Sequence, residues 1–196
     1  MAQTWHMPKH RAHPDRSKRP LGAAKLDELA LAYVARFATS RAKLTRYLAR
    51  KVRESEWMDE SDAMAACEAI ADRMERLRYL DDRQYAAMRA GAMTRRGLGV
   101  RRVKAQLYVD GIAEADSGEA IETAAGAAVA AAVGFARRRR FGPFAVRGSD
   151  DPKLRERQIA AFLRAGHSMT IARRILAVAP GDETALAALD DGAALD

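Results

Sequence analysis

Apolar residues recur at intervals of three and four along most of the chain, the spacing typical of amphipathic helices. The pattern begins near residue 25, where Leu26, Leu29, Tyr33 and Phe37 fall on one face. No long stretch alternates apolar and polar residues as a half-buried strand would. Alanine is abundant, and alanine and long unbranched side chains lose little rotamer entropy in a helix. We therefore predict an all-α protein.

Capping residues help to place the individual helices. Ser40, Asp81, Asp116 and Asp151 are suited to the N-cap position, and Gly111 is suited to a left-handed helix end. A single long helix is expected to follow Asp116 and to end in a run of four arginines. We predict helices at residues 25–38, 41–53, 62–77, 82–94, 100–109, 117–140, 152–165, from 169 onward, and at 183–189.

Three of these helices align on the residue that precedes them. Placing Ser40, Gly99 and Ser168 in register brings apolar residues into coincidence four and eight positions further on. These matched residues are Leu44, Val103 and Ala172 at the first position, and Leu48, Leu107 and Leu176 at the second. We predict three tandem three-helix repeats that stack into an elongated curved array. The expected ranges are a disordered basic tail at residues 1–22 and helical repeats at 23–80, 81–144 and 150–191.

The net charge of +8 is unevenly distributed. Residues 1–20 carry five basic side chains and one acidic, and residues 81–147 carry twelve and seven. A concentrated positive field favours a polyanionic partner or an acidic protein surface. The alternative is a solvated surface that keeps the protein in solution, and charge alone does not decide between the two.

Two sets of basic residues are candidates for partner contact. The first set surrounds a glycine turn and a helix start, where backbone N–H groups would assist arginine side chains in binding phosphate or carboxylate. For the four consecutive arginines of the second set, a solvated helix end that interacts favourably with the helix dipole is the alternative. The first set comprises Arg95, Arg96, Arg101, Arg102 and Lys104; the second comprises Arg41, Lys43, Arg46, Arg137, Arg138, Arg139 and Arg140.

The sequence contains no arrangement typical of a catalytic site. A phosphate-binding loop, a His-Glu-x-x-His helix and a Gly-x-Ser-x-Gly elbow are all missing from it. His167 follows a helix-ending glycine and precedes a cap, which favours a turn residue over a general base. We therefore expect no catalytic residue and no cofactor. The expected role is binding to other macromolecules.

Cysteine and histidine usage argues against a metal site. The single cysteine, Cys67, excludes an intramolecular disulfide and a cysteine-based zinc cluster, and its position on an apolar helix face predicts a buried thiol. His6, His10 and His13 lie on no regular element, so a weak adventitious metal site is the most we expect of them.

No apolar stretch near the N-terminus is typical of a signal peptide, and residues 123–136 are too few to span a bilayer. We expect a soluble, cytoplasmic monomer without membrane contact.

Several motifs resemble those of the RecX family of recombination regulators. They are Ser-Arg-Ala-Lys-Leu at residues 40–44, Leu-Arg-Tyr-Leu-Asp-Asp at 77–82, Arg-Gly-Leu-Gly-Val-Arg-Arg-Val at 96–103, Arg-Arg-Arg-Phe-Gly-Pro-Phe at 138–144 and Arg-Ala-Gly-His-Ser at 164–168. The resemblance covers residues 26–179. The first unit departs from the family pattern, because residues 53–56 read Arg-Glu-Ser-Glu where a glycine turn is common.

The resemblance implies three tandem three-helix repeats and no catalytic residue. It implies a protein that binds the RecA recombinase, lies in the groove of its filament on single-stranded DNA, and limits filament growth, ATP hydrolysis and strand exchange. Such a role belongs to DNA repair, recombination and the SOS response. Family members also bind DNA directly. The alternative is a sequence-tolerant nucleic-acid-binding protein that acts without RecA.

Overall fold

The computed structural model describes residues 18–148 and 151–191, and most of them are helical. The all-α class is confirmed. A short 3₁₀-helix at Gly142–Phe144 follows the seventh of the α-helices. Within the described ranges the helices are α1 Ala23–Arg36, α2 Arg41–Arg53, α3 Ala63–Arg76, α4 Asp82–Arg95, α5 Val100–Asp110, α6 Glu114–Gly126, α7 Ala128–Arg139, α8 Pro152–Ala165, α9 Met169–Ala177 and α10 Glu183–Asp191.

Two three-residue strands were not predicted from the sequence. β1, Arg19–Leu21, pairs in parallel with β2, Ser55–Trp57. The sequence places β1 within the disordered tail, whereas in the structure Leu21 is 4% exposed and joins the first hydrophobic core. β2 lies where the family pattern has a glycine turn. Residues 1–17 of the predicted tail lie outside the described part of the chain.

Three hydrophobic cores lie one after another along the chain. The first is built by α1–α3, the second by α4–α6, and the third by α7–α9. The aligned residues Leu44, Val103 and Ala172 have no exposed surface, and one lies in each core. Burial of a side chain such as Leu44 stabilises the fold by roughly 1.5–3 kcal/mol. The three-repeat organisation and the curved array stay predictions.

The prediction of one long helix ending in the arginine run is wrong. Its first half, α6, begins at Glu114, so Asp116 lies in the first helical turn and Ala113 occupies the N-cap position. The helix ends at Gly126, and α7 continues at an angle of 62°. Glycine lowers helix propensity by about 1 kcal/mol relative to alanine, which makes this position a favourable place for a break.

The bend between α6 and α7 directs α7 into the third core. The ring of Phe135 lies 5.0 Å from that of Phe162 on α8 and 5.5 Å from the imidazole of His167. In the described ranges no single helix is long and apolar enough to cross a membrane; α6 and α7 reach the required length and hydropathy only when taken together across their bend.

Candidate partner-binding surface

The turn between α4 and α5 is attached to the turn between α8 and α9. The backbone N–H of Gly99 donates to the carbonyl of Ala165 at 2.9 Å, and that of Arg101 donates to Gly166 at 3.3 Å. A Cβ atom on Gly99 would lie 2.3 Å from the carbonyl carbon of Gly166. Since no side chain fits between the two backbones, glycine is required at position 99. The contact fixes the position of the α5 N-terminus.

His167 strengthens the same attachment. Its side chain is 2% exposed, and Nε2–H donates to the carbonyl of Gly97 at 3.1 Å. Phe135 and Phe162 pack against the ring, and Nδ1 is buried without a hydrogen-bond partner in the described structure. Burial lowers the pKa of His167 because the charged imidazolium would lose its hydration there. The geometry thus places a neutral histidine in a structural position.

Four of the backbone N–H groups at the start of α5 already donate to carbonyls of the protein. Those of Gly99 and Arg101 donate to the α8–α9 turn, and those of Arg102 and Val103 donate to the carbonyl of Gly99. The helix start therefore has few free donors for an anion, and its assistance to phosphate binding stays a prediction. The donors are occupied because of the close approach of a turn located more than sixty residues further along the chain.

Three basic side chains on α5, in contrast, have no partner within the described ranges. Arg101, Arg102 and Lys104 are exposed, and none of them forms an ion pair or a side-chain hydrogen bond with a residue in the described ranges. Arg96 is also exposed, and its guanidinium likewise has no partner among those residues. Four cations without compensating carboxylates form the candidate surface, which we call the α5 basic surface.

Arg95 is separated from this surface. Its Nη1 atom lies 3.2 Å from the point where a Cβ of Gly91 would be, so the side chain turns back along α4. Arg95 lines a cleft of about 420 Å³ between α4 and α6, together with Thr123 and Ala127. The side chain of Arg95 therefore lies in the cleft, whereas that of its neighbour Arg96 belongs to the α5 basic surface.

Arg41 is held by acidic residues of α3. Its guanidinium lies 2.8 Å from Glu68, 2.5 Å from Asp72 and 3.6 Å from Glu75. The hydrogen bond to Asp72 raises the pKa of Arg41 above its ordinary value. The backbone N–H of Arg41 donates to the carboxylate of Asp82 at 2.8 Å. Burial raises the pKa of the Asp82 carboxyl. Arg41 thus links α2 to α3 and α4.

Lys43 belongs to a buried polar network centred on Asp110. Lys43 donates to the hydroxyl of Tyr85 at 3.0 Å, a bond that raises the pKa of the lysine. The Tyr85 hydroxyl donates in turn to Asp110 at 3.0 Å. Lys43 and Arg89 lie 3.6 and 3.4 Å from the two carboxylate oxygens of Asp110. Two cations and a hydroxyl compensate the 6% exposed carboxylate, so the network stabilises the junction of the first two cores.

Arg46 contacts the C-terminal end of α5. Its Nη1 atom donates to the carbonyl of Val109 at 3.0 Å, and the hydroxyl of Ser40 donates to the carbonyl of Asp110 at 2.6 Å. The last carbonyls of a helix lack partners within the helix, and α2 supplies donors for two of them. Arg41, Lys43 and Arg46 thus all make contacts inside the protein.

The arginine run lies at the end of α7 and is exposed throughout. Arg138 donates a hydrogen bond to the backbone carbonyl of Arg96, which brings the two predicted basic sets together. Arg137 and Arg139 each lie over a phenylalanine ring, at 5.1 and 5.8 Å from its centroid. Arg140 ends the helix in a left-handed conformation with a φ of 56°. Three of the four arginines therefore make contacts with other residues of the described structure, and Arg138 does so through a hydrogen bond.

Sequence reasoning missed Asp110 as a structural residue. The sequence predicts a helix at residues 100–109, which leaves Asp110 outside it. Asp110 lies seven residues after Val103, on the same face of α5 as the buried Val103 and Leu107. An acidic residue in register with an apolar stripe is the signal that indicates a buried, compensated carboxylate.

Cys67 is fully buried, as predicted, and burial raises the pKa of its thiol. In residues 18–148 and 151–191, no group of three or more His, Cys, Asp or Glu side chains is arranged to hold a metal ion. The predicted weak site at His6, His10 and His13 lies outside the described residues.

Comparison of the sequence and comparison of the structure with known proteins both find regulatory proteins named RecX. No model of a known protein family matches the chain. "Regulatory protein RecX" of Myxococcus xanthus (strain DK1622) is 29% identical over 187 residues, which cover 87% of this chain and 97% of the relative. "Regulatory protein RecX" of Agrobacterium fabrum (strain C58 / ATCC 33970) is 31% identical over 102 residues, 52% of this chain and 54% of the relative.

A solved structure described as "Crystal structure of regulatory protein RecX" superposes with a TM-score of 0.57 at 19% identity. The match covers 78% of this chain and 70% of the other, and it shows a common fold. Sequence similarity along nearly the full length of a curated relative, together with this fold, leads to one conclusion: the chain is similar to the RecX regulatory proteins in both sequence and structure.

Proposed function

We propose that this protein binds RecA filaments on single-stranded DNA and limits filament growth, ATP hydrolysis and strand exchange, without catalysing a reaction itself. It acts as a cytoplasmic monomer in DNA repair, recombination and the SOS response. Similarity to the RecX regulatory proteins supports the identity of the partner. The contact residues we propose are Arg96, Arg101, Arg102 and Lys104, followed by Arg95, Arg137, Arg139 and Arg140.

The observation that carries the surface assignment is the set of unpaired cations on α5. Arg101, Arg102 and Lys104 project from a helix whose position is fixed by the α8–α9 turn. Cations that are exposed and uncompensated create the field that attracts a polyanion such as DNA. Arg41, Lys43 and Arg46 act instead by holding α2 against its neighbours, since their charges are already used inside the protein.

The test is RecA-dependent ATP hydrolysis on single-stranded DNA, with the full-length protein added at a substoichiometric level. The wild-type protein should slow hydrolysis. A variant with Arg101→Ala, Arg102→Ala and Lys104→Ala should restore most of the rate, because three contacts are lost without a change in the core. Its direct binding to single-stranded DNA should also depend less on salt, by a slope of roughly 0.7 for each phosphate contact removed.

A charge-matched control comes from the first group of helices. Arg36, Arg53 and Arg76 are exposed near the ends of α1, α2 and α3, and their replacement by alanine lowers the net charge by the same amount. This control variant should slow hydrolysis as the wild type does. No effect of the wild-type protein on hydrolysis, together with no binding to filaments, would contradict the proposed function. Equal loss in the two variants would contradict the surface assignment.

Deletion of residues 1–17 distinguishes a regulator of RecA from a protein that binds DNA and acts without RecA. Residues 1–17 carry basic side chains and precede β1, so their removal leaves the strand pair intact. A free-standing nucleic-acid-binding protein would lose much of its DNA affinity, which would be steeply salt-dependent. A RecA regulator would keep most of its effect on ATP hydrolysis.

A further inference from the structure

Tyr108 is an aromatic residue of α5 whose side chain does not belong to a hydrophobic core. It is 84% exposed, whereas Leu107 beside it is 1% exposed. Its hydroxyl forms no hydrogen bond, and its ring packs on no other ring or cation, within residues 18–148 and 151–191. A tyrosine usually buries much of its ring in a folded protein. Nearly complete exposure therefore indicates a ring that is available to a partner.

The residues around Tyr108 on the helix are basic or small. Arg101, Lys104 and Ala105 precede it by seven, four and three positions, which places all four on one face of α5. Helical side chains lean toward the N-terminus, so the tyrosine ring lies toward Lys104 and Ala105. The acidic residue of α5, Asp110, is buried on the opposite side. The exposed face thus combines an aromatic ring with two uncompensated cations.

This combination fits single-stranded nucleic acid better than a protein. Proteins that bind single strands stack bases on exposed aromatic rings and hold the phosphates with nearby cations. In a duplex the faces of the bases are covered by their neighbours. An aromatic anchor for a protein partner is normally enclosed by other contacts that exclude water. Tyr108 instead shares its face of α5 with Arg101, Lys104 and Ala105, and the neighbouring Val109 is itself 60% exposed.

We propose that Tyr108 stacks on an unpaired base of single-stranded DNA while Arg101 and Lys104 bind the phosphates next to it. The inference rests on the proposed function, to which it adds the DNA contact and its chemical nature. It assigns to α5 a direct role on the strand, in addition to any contact with the recombinase.

The test measures binding of the full-length protein to a labelled single-stranded oligothymidylate in the absence of RecA. Tyr108→Ala should weaken binding by between about 5-fold and about 150-fold, the range found when a stacking aromatic is removed. Tyr108→Phe should bind nearly as the wild type does, because the ring is kept. Tyr79→Ala is the matched control, since Tyr79 is 57% exposed and does not lie on α5.

An abasic strand of equal length identifies the stacking contact. The wild-type protein should bind it more weakly than oligothymidylate, and Tyr108→Ala should then cause no further loss. The proposal is overturned by any of three results: no binding of the wild type to either strand, unchanged binding of Tyr108→Ala to oligothymidylate, or equal losses on both strands. Loss of filament binding with unchanged oligonucleotide binding would assign Tyr108 to the protein partner and would also overturn it.

Failure of the proposed function can be distinguished from failure of the inference about Tyr108. The oligonucleotide measurements contain no RecA, so they report on Tyr108 even if the wild-type protein leaves RecA-dependent ATP hydrolysis unchanged. Each variant is compared with the wild type by its circular dichroism and its unfolding midpoint. At an 84% exposed position neither should change appreciably.

Discussion

His167 illustrates at the scale of a residue what local sequence conveys and what it leaves out. The residues around it predict a turn, and it does lie between the helix-ending Gly166 and the N-cap Ser168. Its burial and its hydrogen bond to Gly97, seventy residues away, follow from the tertiary fold. The same holds for Arg41, whose charge is visible in the sequence but whose acidic partners lie on α3.

His167 should make the stability of the protein depend on pH. Burial lowers its pKa in the folded state below the ordinary value of 6.5, so the unfolded chain binds the proton more tightly. The stabilisation is therefore complete above pH 6.5 and is lost as the pH falls through the lower pKa of the folded state. Urea unfolding midpoints measured from about pH 7 to about pH 5 should fall in the wild type.

The comparison is with His167→Gln, whose amide can still donate to the carbonyl of Gly97. This variant should show a smaller decrease over the same pH range, because glutamine does not titrate. An identical decrease in both proteins would mean that His167 does not cause it.

At the scale of elements, helix periodicity and caps locate most helices to within a few residues. Asp81 and Ser168 cap α4 and α9 as predicted, and Gly111 ends α5 with a φ of 78°. The break between α6 and α7 was missed because an alanine-rich segment has a high helix propensity on both sides of Gly126. β1 and β2 were missed because three residues are too few to show an alternating pattern.

Two serine caps should differ in their contribution to stability. Among the described residues, the hydroxyl of Ser168 has one hydrogen bond, which it accepts from the N–H of Ile171 at 3.1 Å. That of Ser40 accepts the N–H of Lys43 and also donates to Asp110 across the junction of the first two cores. Ser168→Ala should lower the free energy of unfolding by about 1 kcal/mol. Ser40→Ala should lower it by about 2–3 kcal/mol, because a buried carbonyl loses its donor as well.

Urea denaturation of the two variants measures this difference. A loss of equal size in Ser40→Ala and Ser168→Ala would show that the hydrogen bond between Ser40 and Asp110 contributes little beyond the cap.

At the scale of the whole molecule, polar and backbone contacts join the three cores. Ser40, Lys43 and Asp110 connect the first core to the second, and Gly99 and Gly166 connect the second to the third. The sequence indicates the helical groups through their apolar stripes. The sequence does not indicate the junctions between cores, because they depend on the close approach of two backbone turns and on charged side chains from different groups of helices. For this reason the free cations of α5 could not be distinguished from the bound cations of α2.

Gly99→Ala tests the second junction. The conformation of residue 99, with a φ of −79°, is open to alanine, so the obstacle is the backbone of Gly166 at 2.3 Å from the new Cβ. The two turns would have to separate, and the free energy of unfolding should fall by at least about 2 kcal/mol. Gly118→Ala is the control: apart from the adjacent backbone of α6, no atom of the described residues lies within 4 Å of its added Cβ, and within α6 alanine should stabilise by roughly 0.5–1 kcal/mol. Equal stability of the Gly99→Ala variant and the wild type would contradict the assigned contact.

The three cores also have consequences for synthesis of the chain. The first uses residues between Leu21 and Leu80, the second between Tyr85 and Ala124, and the third from Ala132 to Leu189. Leu98 packs against both the second and the third core. Apart from Leu98, each core is drawn from one uninterrupted segment, and its contacts close loops of modest length. A ribosome that releases the chain from its N-terminus presents these segments in order, so each core has all of its residues before the next segment emerges.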